Sequence, residues 1–175
     1  VTKKVLTEPP RLVVVMVIDQ MRADYLRRHH ARFLEPRLDK AGVGGFRFLM
    51  DEGAYYASAE FQTMHTLTAP DHATIATGAW ANRHGVVMNQ YLDDSLTRRY
   101  CVGDGRFRTI GAHKESWKGG VAPTNLLGPT VGDALKNAGY RGSVVSIALK
   151  DRAAILMGGF RSDASIWFDY RAHRW

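Results

Sequence analysis

The pattern of apolar positions predicts two strands that are buried on both faces. Residues 12–18, Leu-Val-Val-Val-Met-Val-Ile, run without a polar interruption, and residues 143–149 are nearly as apolar. Runs of this kind, rich in β-branched residues, are typical of central strands in a parallel sheet with helices on both faces. Further strands are predicted at 54–61 and 166–168. The pattern therefore predicts an α/β fold with a largely parallel sheet.

Helical patterns alternate with these strands. Residues 21–33 place apolar side chains among arginines and histidines, which predicts an amphipathic helix with a basic outer face. Shorter helices are predicted at 45–53 and 129–139, because each segment ends at a glycine. Residues 82–85 predict a turn, and residues 93–120 predict a strand pair or a long connection over the surface.

Residues 66–78, Thr-Leu-Thr-Ala-Pro-Asp-His-Ala-Thr-Ile-Ala-Thr-Gly, predict a short helix with defined ends. Pro70 suits a first helical turn, and Thr68 has the side chain of an N-cap. Asp71 would face the positive end of the helix dipole, and Gly78 suits a left-handed residue that ends the helix. The N-terminus of such a helix is also a place where backbone N–H groups can receive an anion.

Composition and charge narrow the functional classes. The 175 residues carry a formal net charge of +7, but the basic residues are scattered without a lysine-rich run, which argues against nucleic-acid binding. Cys101 is the only cysteine, which excludes an internal disulfide and a CxxC site. The sequence has no signal peptide and no apolar run of membrane-spanning length. Its start at Val1 fits either a chain trimmed after export or a piece of a longer chain.

Several side chains that can carry chemistry follow the predicted strands. Asp19 follows the first apolar run, Thr68 stands at a strand-to-helix turn, and Lys150 and Arg152 follow the second run, with Asn89 nearby. In open α/β sheets, ligands bind at the carboxyl ends of strands. A carboxylate can hold a divalent metal, a metal-bound hydroxyl can lose its proton, and Asn, Lys and Arg can stabilise phosphoryl oxygens. The set predicts a phosphoryl-transfer site.

Each candidate also has a structural alternative. Asp19 fits a cap of the following helix, and Thr68 fits a plain helix N-cap. Asn89 fits a turn former, and the Lys150 and Arg152 pair fits a solvated turn.

Three segments in order carry a resemblance to a known family: residues 17–26, 66–78 and 146–156, with His84 and Asn89 between the last two. They resemble the alkaline phosphatase superfamily, and within it the phosphate-insensitive bacterial alkaline phosphatases that sit beside the nucleotide pyrophosphatases/phosphodiesterases. The resemblance spans nearly the whole chain and implies an alkaline phosphatase-like α/β fold.

The same resemblance implies roles for individual residues. Asp19 is implied as a zinc ligand and Thr68 as the zinc-bound nucleophile that becomes phosphothreonine. Asn89 is implied as a donor to a phosphoryl oxygen, and Lys150 and Arg152 as the pair that favours phosphate monoesters. The intact enzyme would hold two zinc ions and would be periplasmic or otherwise exported. His72 matches no metal ligand of the family, and we expect a structural role for it.

The sequence departs from the family in its metal ligands. Members use further ligands from the C-terminal half, including an Asp-x-x-x-His group, an Asp-His pair and a later His. None of these groups is placed in this sequence, and we expect Asp163, Asp169 and His173 not to belong to that pattern. We therefore expect residues 1–175 to be the N-terminal part of a longer catalytic domain, incomplete and inactive without its C-terminal half.

The substrate expected from the resemblance is a phosphate monoester. A phosphodiesterase or nucleotide pyrophosphatase with the same nucleophile is the alternative among enzymes. A non-catalytic domain that binds nucleic acid or an acidic partner through its positive charge is the alternative from another class.

Overall fold

The computed structural model describes residues 10–34, 44–111 and 119–175, and the chain divides into two compact units, Val1–Gln62 and Thr63–Trp175. No helix in the described ranges has both the length and the apolarity to cross a bilayer. The α/β class predicted from the sequence is confirmed. The elements in chain order are α1 (Asp24–Arg28), a 3₁₀ turn (His30–Arg32), α2 (Gly45–Glu52), α3 (Thr68–Thr77), α4 (Ala81–His84), β1 (Gln90–Leu92), β2 (Arg98–Tyr100), α5 (Val131–Asn137), β3 (Val145–Ala148), α6 (Asp151–Gly158) and β4 (Ala164–Trp167).

The first apolar run, residues 12–18, is not a buried strand. It has no regular structure, and the side chains of Leu12, Val14 and Met16 are at least 70% exposed. Neither of the two sheets formed by the described residues includes it. A central strand needs backbone partners at both edges and apolar cover on both faces, and the described part of the chain supplies neither. The strand predicted at 54–61 is wrong for the same reason, because this segment is irregular and exposed.

The helices of the first unit are shorter than the pattern predicts. In place of one helix over 21–33, the chain forms α1 followed by the 3₁₀ turn. Asp24 in the first turn of α1 accepts hydrogen bonds from Arg22 at 2.9 Å and Arg28 at 3.4 Å. The helix predicted at 45–53 is confirmed as α2, which ends where the Gly53 N–H donates to the Leu49 carbonyl.

The first two strands of the second unit, β1 and β2, form an antiparallel hairpin. Gln90 pairs with Tyr100 and Leu92 with Arg98. Of the strand pair or long connection predicted within 93–120, only β2 lies in that range, because its partner β1 is already complete at Leu92. The turn predicted at 82–85 is instead the end of α4, which Gly85 closes with a φ of +81°.

The β3, α6 and β4 elements form a parallel βαβ unit. β3 and β4 pair in register from Val145 with Ala164 to Ala148 with Trp167, and α6 packs against both strands. The parallel pairing predicted for this region is confirmed. The prediction that this strand is buried on both faces is wrong, because Val145 is 54% exposed and Ile147 is 64% exposed. Only alternate residues of β3 are covered within this two-stranded sheet.

The core of the second unit joins α3 to α6. These two helices pack against each other, and the buried side chains between the elements form one cluster. Small residues of α3 allow the close approach, since Ala69 and Ala73 are fully buried. The packing brings the start of α3 to the start of α6. The members of the cluster are Ala69, Ala73, Val86, Tyr100, Cys101, Val102, Leu126, Ile155 and Leu156.

A buried capping box starts α5, the helix predicted at 129–139. The Thr130 hydroxyl accepts from the Asp133 N–H at 3.2 Å, and the Asp133 carboxylate accepts from the Thr130 N–H at 2.9 Å. The second oxygen of Asp133 accepts from the Arg161 N–H at 2.6 Å. Because both side chains are buried, the box ties α5 to the loop after α6.

We expect Gly159→Ala to lower the free energy of unfolding by about 3 kcal/mol. Gly159 has φ +78° and ψ −162°, a conformation essentially restricted to glycine, and a Cβ there would overlap the capping-box oxygens of Thr130 and Asp133. Urea denaturation measures the change. Gly78→Ala is the control, because Gly78 also ends a helix at positive φ but has no described atom within 4 Å. Its cost should be about 1 kcal/mol, and equal losses would contradict the overlap.

Candidate active site

Thr68 is the first residue of α3 and its side chain is buried. The preceding residue, Leu67, is extended and acts as the N-cap, with no side-chain cap hydrogen bond. The prediction that Thr68 caps this helix is therefore wrong, because its own backbone is already helical. Asp71 lies in the first turn and Gly78 ends the helix in the left-handed conformation with a φ of +66°, both as predicted.

Lys150 contacts the Thr68 hydroxyl. Its Nζ lies 3.3 Å from Thr68 Oγ1 and donates a hydrogen bond to it, although the two residues are 82 positions apart. Lys150 lies between β3 and α6, two residues beyond the carboxyl end of a parallel strand. The close packing of α3 against α6 brings the two side chains together. An ammonium group at this distance favours the deprotonated form of the hydroxyl oxygen.

Asn89 is held against the first turn of the same helix. Its Oδ1 accepts a hydrogen bond from the Ala69 N–H at 2.8 Å, one of the backbone donors that a helix start leaves unpaired. The Asn89 carbonyl in turn accepts from the Cys101 N–H at 3.1 Å. A backbone N–H can only donate, so the amide orientation is fixed, and no hydrogen bond within the described ranges uses the NH₂ group of Asn89.

Arg152 belongs to a buried network at the start of α6. Its Nη1 donates to the Tyr100 hydroxyl at 3.3 Å, and that hydroxyl donates to Asp151 Oδ1 at 2.5 Å. Asp151 Oδ1 also accepts from the Arg152 N–H at 2.8 Å. Burial, and then the neighbouring Asp151 carboxylate, raise the pKa of Tyr100 well above its ordinary value, so the phenol stays protonated.

The two buried histidines of this region make structural contacts. His72 Nδ1 donates to the Thr68 carbonyl at 2.7 Å, one turn back on α3, in keeping with the structural role expected for it. His84 Nδ1 accepts from the Val86 N–H, so its neutral ring carries the proton on Nε2 and donates to Thr74 Oγ1 at 3.0 Å. Burial lowers the pKa of His84 below its ordinary value and keeps the ring neutral.

A cleft of about 850 Å³ opens beside Lys150 and Arg152. Its described lining includes three further arginines and three carboxylates, so positive charge predominates. Lys150 therefore both contacts Thr68 and lines the cleft. The remaining charged residues of the lining are Arg108, Arg171, Arg174, Asp151, Asp163 and Asp169.

The metal ligands present do not form a zinc site by themselves. Asp19 is exposed in a turn of the first unit, neither at the end of a strand nor at the N-cap of α1, which is Ala23. Contrary to the expectation from the sequence, Asp169 and His173 do have Asp-x-x-x-His spacing. They lie in one turn, which the backbone pairing of Asp169 with Arg174 closes, and His173 is exposed. In the described ranges, no three His, Cys, Asp or Glu side chains are grouped as they would be around a metal, whereas structural zinc takes about four ligands.

The structure brings together four of the five predicted site residues in the second unit. Thr68 accepts a hydrogen bond from Lys150, and Asn89 accepts one from the N–H of the residue after Thr68, Ala69. Arg152 lies in the first turn of α6, two residues after Lys150. Asp19 lies in the other unit. Tyr100 was missed from the sequence, because a tyrosine that ends a short strand 52 positions before Arg152 carries no motif.

Known proteins match this chain over most of its length. Alkaline phosphatase PhoV of Synechococcus elongatus is 41% identical over 162 residues, which are 91% of this chain and 28% of PhoV. Alkaline phosphatase PafA of Elizabethkingia meningoseptica is 35% identical over 162 residues, again 91% of this chain and 28% of the relative. The chain thus spans under a third of the length of these curated relatives.

Solved structures agree with the sequence matches. The crystal structure of wild-type PafA superposes with a TM-score of 0.77 and 33% identity over 87% of this chain and 28% of PafA. A PafA variant with one Thr, one Asn, one Lys and one Arg replaced superposes equally well. The family model for type I phosphodiesterase / nucleotide pyrophosphatase matches residues 13–167. This chain belongs to that family, and the resemblance inferred from its motifs is confirmed.

Proposed function

We propose that residues 1–175 are the N-terminal part of an enzyme that hydrolyses phosphate monoesters, with Thr68 as the nucleophile. The observation that carries this proposal is the contact between the Lys150 ammonium and the Thr68 hydroxyl at the start of α3. A buried threonine hydroxyl is a weak nucleophile unless a neighbour lowers its pKa or takes its proton. Lys150 provides positive charge 3.3 Å away, and the N-terminus of α3 adds backbone N–H groups that favour an anion.

The reaction would proceed in two displacements. In the first, Thr68 Oγ1 bonds to phosphorus, the ester oxygen leaves with a proton as the alcohol, and phosphothreonine forms. In the second, water attacks the same phosphorus, inorganic phosphate leaves and the Thr68 hydroxyl is restored. The free NH₂ of Asn89 and the guanidinium of Arg152 would donate to phosphoryl oxygens, which carry developing charge.

The spacing of the four residues supports this assignment. In the PafA variant the substituted Thr, Asn, Lys and Arg follow one another at intervals of 21, 62 and 2 positions. Thr68, Asn89, Lys150 and Arg152 follow one another at intervals of 21, 61 and 2. The same four residue types in the same order, with one position of difference, support a common site.

The pair of cations favours a monoester over a diester. A monoester dianion presents an extra charged oxygen where a diester has an esterified, neutral one, and a second cation stabilises only the former. The alternative enzyme, a phosphodiesterase or nucleotide pyrophosphatase with the same nucleophile, is supported by the name of the matching family model. A basic binding domain without activity would instead show steeply salt-dependent binding that Thr68→Ala leaves unchanged.

We further propose that the intact enzyme is exported and holds two zinc ions. Asp19 and Thr68 would be the ligands from this chain, and the others would come from the C-terminal part of the enzyme. The two residues lie in different units, and the described residues complete no site around either. The roles derived above for Lys150, Asn89 and Arg152 follow from their own contacts.

Trapping the covalent intermediate tests the proposal. The intact enzyme is mixed with excess phosphate monoester, quenched in acid within the first turnovers, and digested for mass spectrometry. We expect phosphate on the peptide that contains Thr68 and none on the peptides of the Thr68→Ala variant. Phosphate on a different residue, or full turnover by the variant, would contradict Thr68 as the nucleophile.

A further inference from the structure

We propose that Tyr100 is a positioning residue that directs Arg152 toward the substrate, an inference that rests on the proposed role of Arg152 in binding a phosphate monoester. The Tyr100 hydroxyl lies between the Asp151 carboxylate and the Arg152 guanidinium, donating to the first at 2.5 Å and accepting from the second at 3.3 Å. Tyr100 lies outside the three segments that carry the family resemblance, residues 17–26, 66–78 and 146–156.

Tyr100 is itself held rigidly. It is the last residue of β2, is 9% exposed, and belongs to the same buried cluster as Cys101 and Val102. Its strand partner is Gln90, which directly follows Asn89. Asn89 directly precedes β1, and its carbonyl accepts from the N–H of Cys101, which directly follows β2. The β1–β2 hairpin therefore sets the positions of Asn89 and Tyr100 together.

The hydroxyl also separates Arg152 from its own neighbour. Arg152 Nη1 lies 4.0 Å from Asp151 Oδ1, beyond a direct hydrogen bond, and both side chains are largely buried. Asp151 Oδ1 already accepts from Tyr100 and from the Arg152 N–H. Without the phenol, the guanidinium could close onto the carboxylate as a direct ion pair, the geometry that arginine and carboxylate prefer. The charge of Arg152 would then be neutralised within the protein.

The described residues satisfy the Arg152 guanidinium only in part. Its Nε–H is buried and finds no acceptor among the described residues, and its Nη1 contact with the phenol is long, at 3.3 Å. Arg152 also lines the cleft beside Lys150. The arrangement suits a guanidinium that is oriented by a neutral hydroxyl and keeps its charge for a phosphate dianion.

Tyr100→Phe in the intact enzyme tests this role. We expect kcat/KM for a phosphate monoester to fall about 10-fold, while kcat/KM for a phosphate diester changes by less than about 2-fold. In an Arg152→Ala background, Tyr100→Phe should have no further effect on the monoester, because the group it orients is absent. Tyr91→Phe, on the facing strand of the same hairpin, is the matched control and should leave both rates unchanged.

Each possible result supports or contradicts the positioning role of Tyr100. A proportional fall in the monoester and diester rates would mean that Tyr100 only supports the fold, and it would overturn the inference, as would an unchanged monoester rate. If Arg152→Ala lowers the monoester rate and Tyr100→Phe does not, the positioning role alone fails. If Arg152→Ala has no effect, the proposed role of Arg152 fails with it. Asp151→Asn, which keeps the shape but removes the carboxylate that would pair with Arg152, is the second variant. In its background Tyr100→Phe should lower the monoester rate by less than about 2-fold, and an undiminished 10-fold loss there would overturn the inference.

Discussion

Thr68→Ala in the intact enzyme is expected to lower kcat/KM for a phosphate monoester by at least about 1,000-fold. The substitution removes the hydroxyl oxygen that lies 3.3 Å from Lys150 Nζ and that the proposed reaction uses as nucleophile. Steady-state kinetics with an alkyl or aryl phosphate measures the loss. Thr68→Ser, which keeps the hydroxyl, should retain most of the rate, within about 10-fold of the parent enzyme.

The fold should survive this change. The N-cap of α3 is Leu67 and not Thr68, and alanine is a better helix former than threonine. We expect the free energy of unfolding to change by less than about 1 kcal/mol. Thr77→Ala is the matched control on the same helix. Its hydroxyl donates to the Ala73 carbonyl at 2.7 Å and accepts from the Ala79 N–H at 3.3 Å, both at the far end of α3, so its loss should leave the rate unchanged. Similar losses from Thr68→Ala and Thr77→Ala would point to a general weakening of α3.

The ends of the helices could be predicted because their signals are local. Gly53 and Gly78 end α2 and α3 as expected, and Asp71 takes the first turn of α3. The burial of strands could not be predicted in the same way. Residues 12–18 have the composition of a central strand, but burial depends on neighbours that the run itself does not contain, and they are exposed here.

The sequence could predict those residues of the candidate site that directly follow a strand. The rule that ligand groups gather at the carboxyl ends of parallel strands holds for Lys150, which follows β3 and contacts Thr68 across 82 positions. It does not hold for Thr68, because the strand predicted before it at 54–61 is not formed. The same rule failed for Asp19, because the strand before it is not formed and the residue lies in a separate unit. Tyr100 follows no such rule, since its role depends on the side-chain contacts of one hydroxyl with two residues of α6.

Lys150→Ala with Arg152→Ala is expected to lower kcat/KM for a phosphate monoester about 1,000-fold and for a phosphate diester only about 10-fold. The common loss reflects Lys150, whose ammonium favours the Thr68 alkoxide with either substrate. The selective loss reflects the third charged oxygen, which only the monoester carries and which two cations stabilise better than one. The ratio of the monoester to the diester kcat/KM, measured on the intact enzyme under one set of conditions, isolates the monoester-selective loss.

A control variant that removes two positive charges away from the site distinguishes the contacts of Lys150 and Arg152 with the substrate from the long-range attraction of an anionic substrate to a basic protein. Arg98→Ala with Arg99→Ala also removes two positive charges, from exposed positions on β2, and should leave the ratio within about 2-fold of the parent value. A diester preference that is already present in the parent enzyme and undiminished in the Lys150 and Arg152 variant would favour the phosphodiesterase alternative. The expected collapse of the ratio would instead mean that these two cations, and not the net charge of the chain, select the monoester dianion.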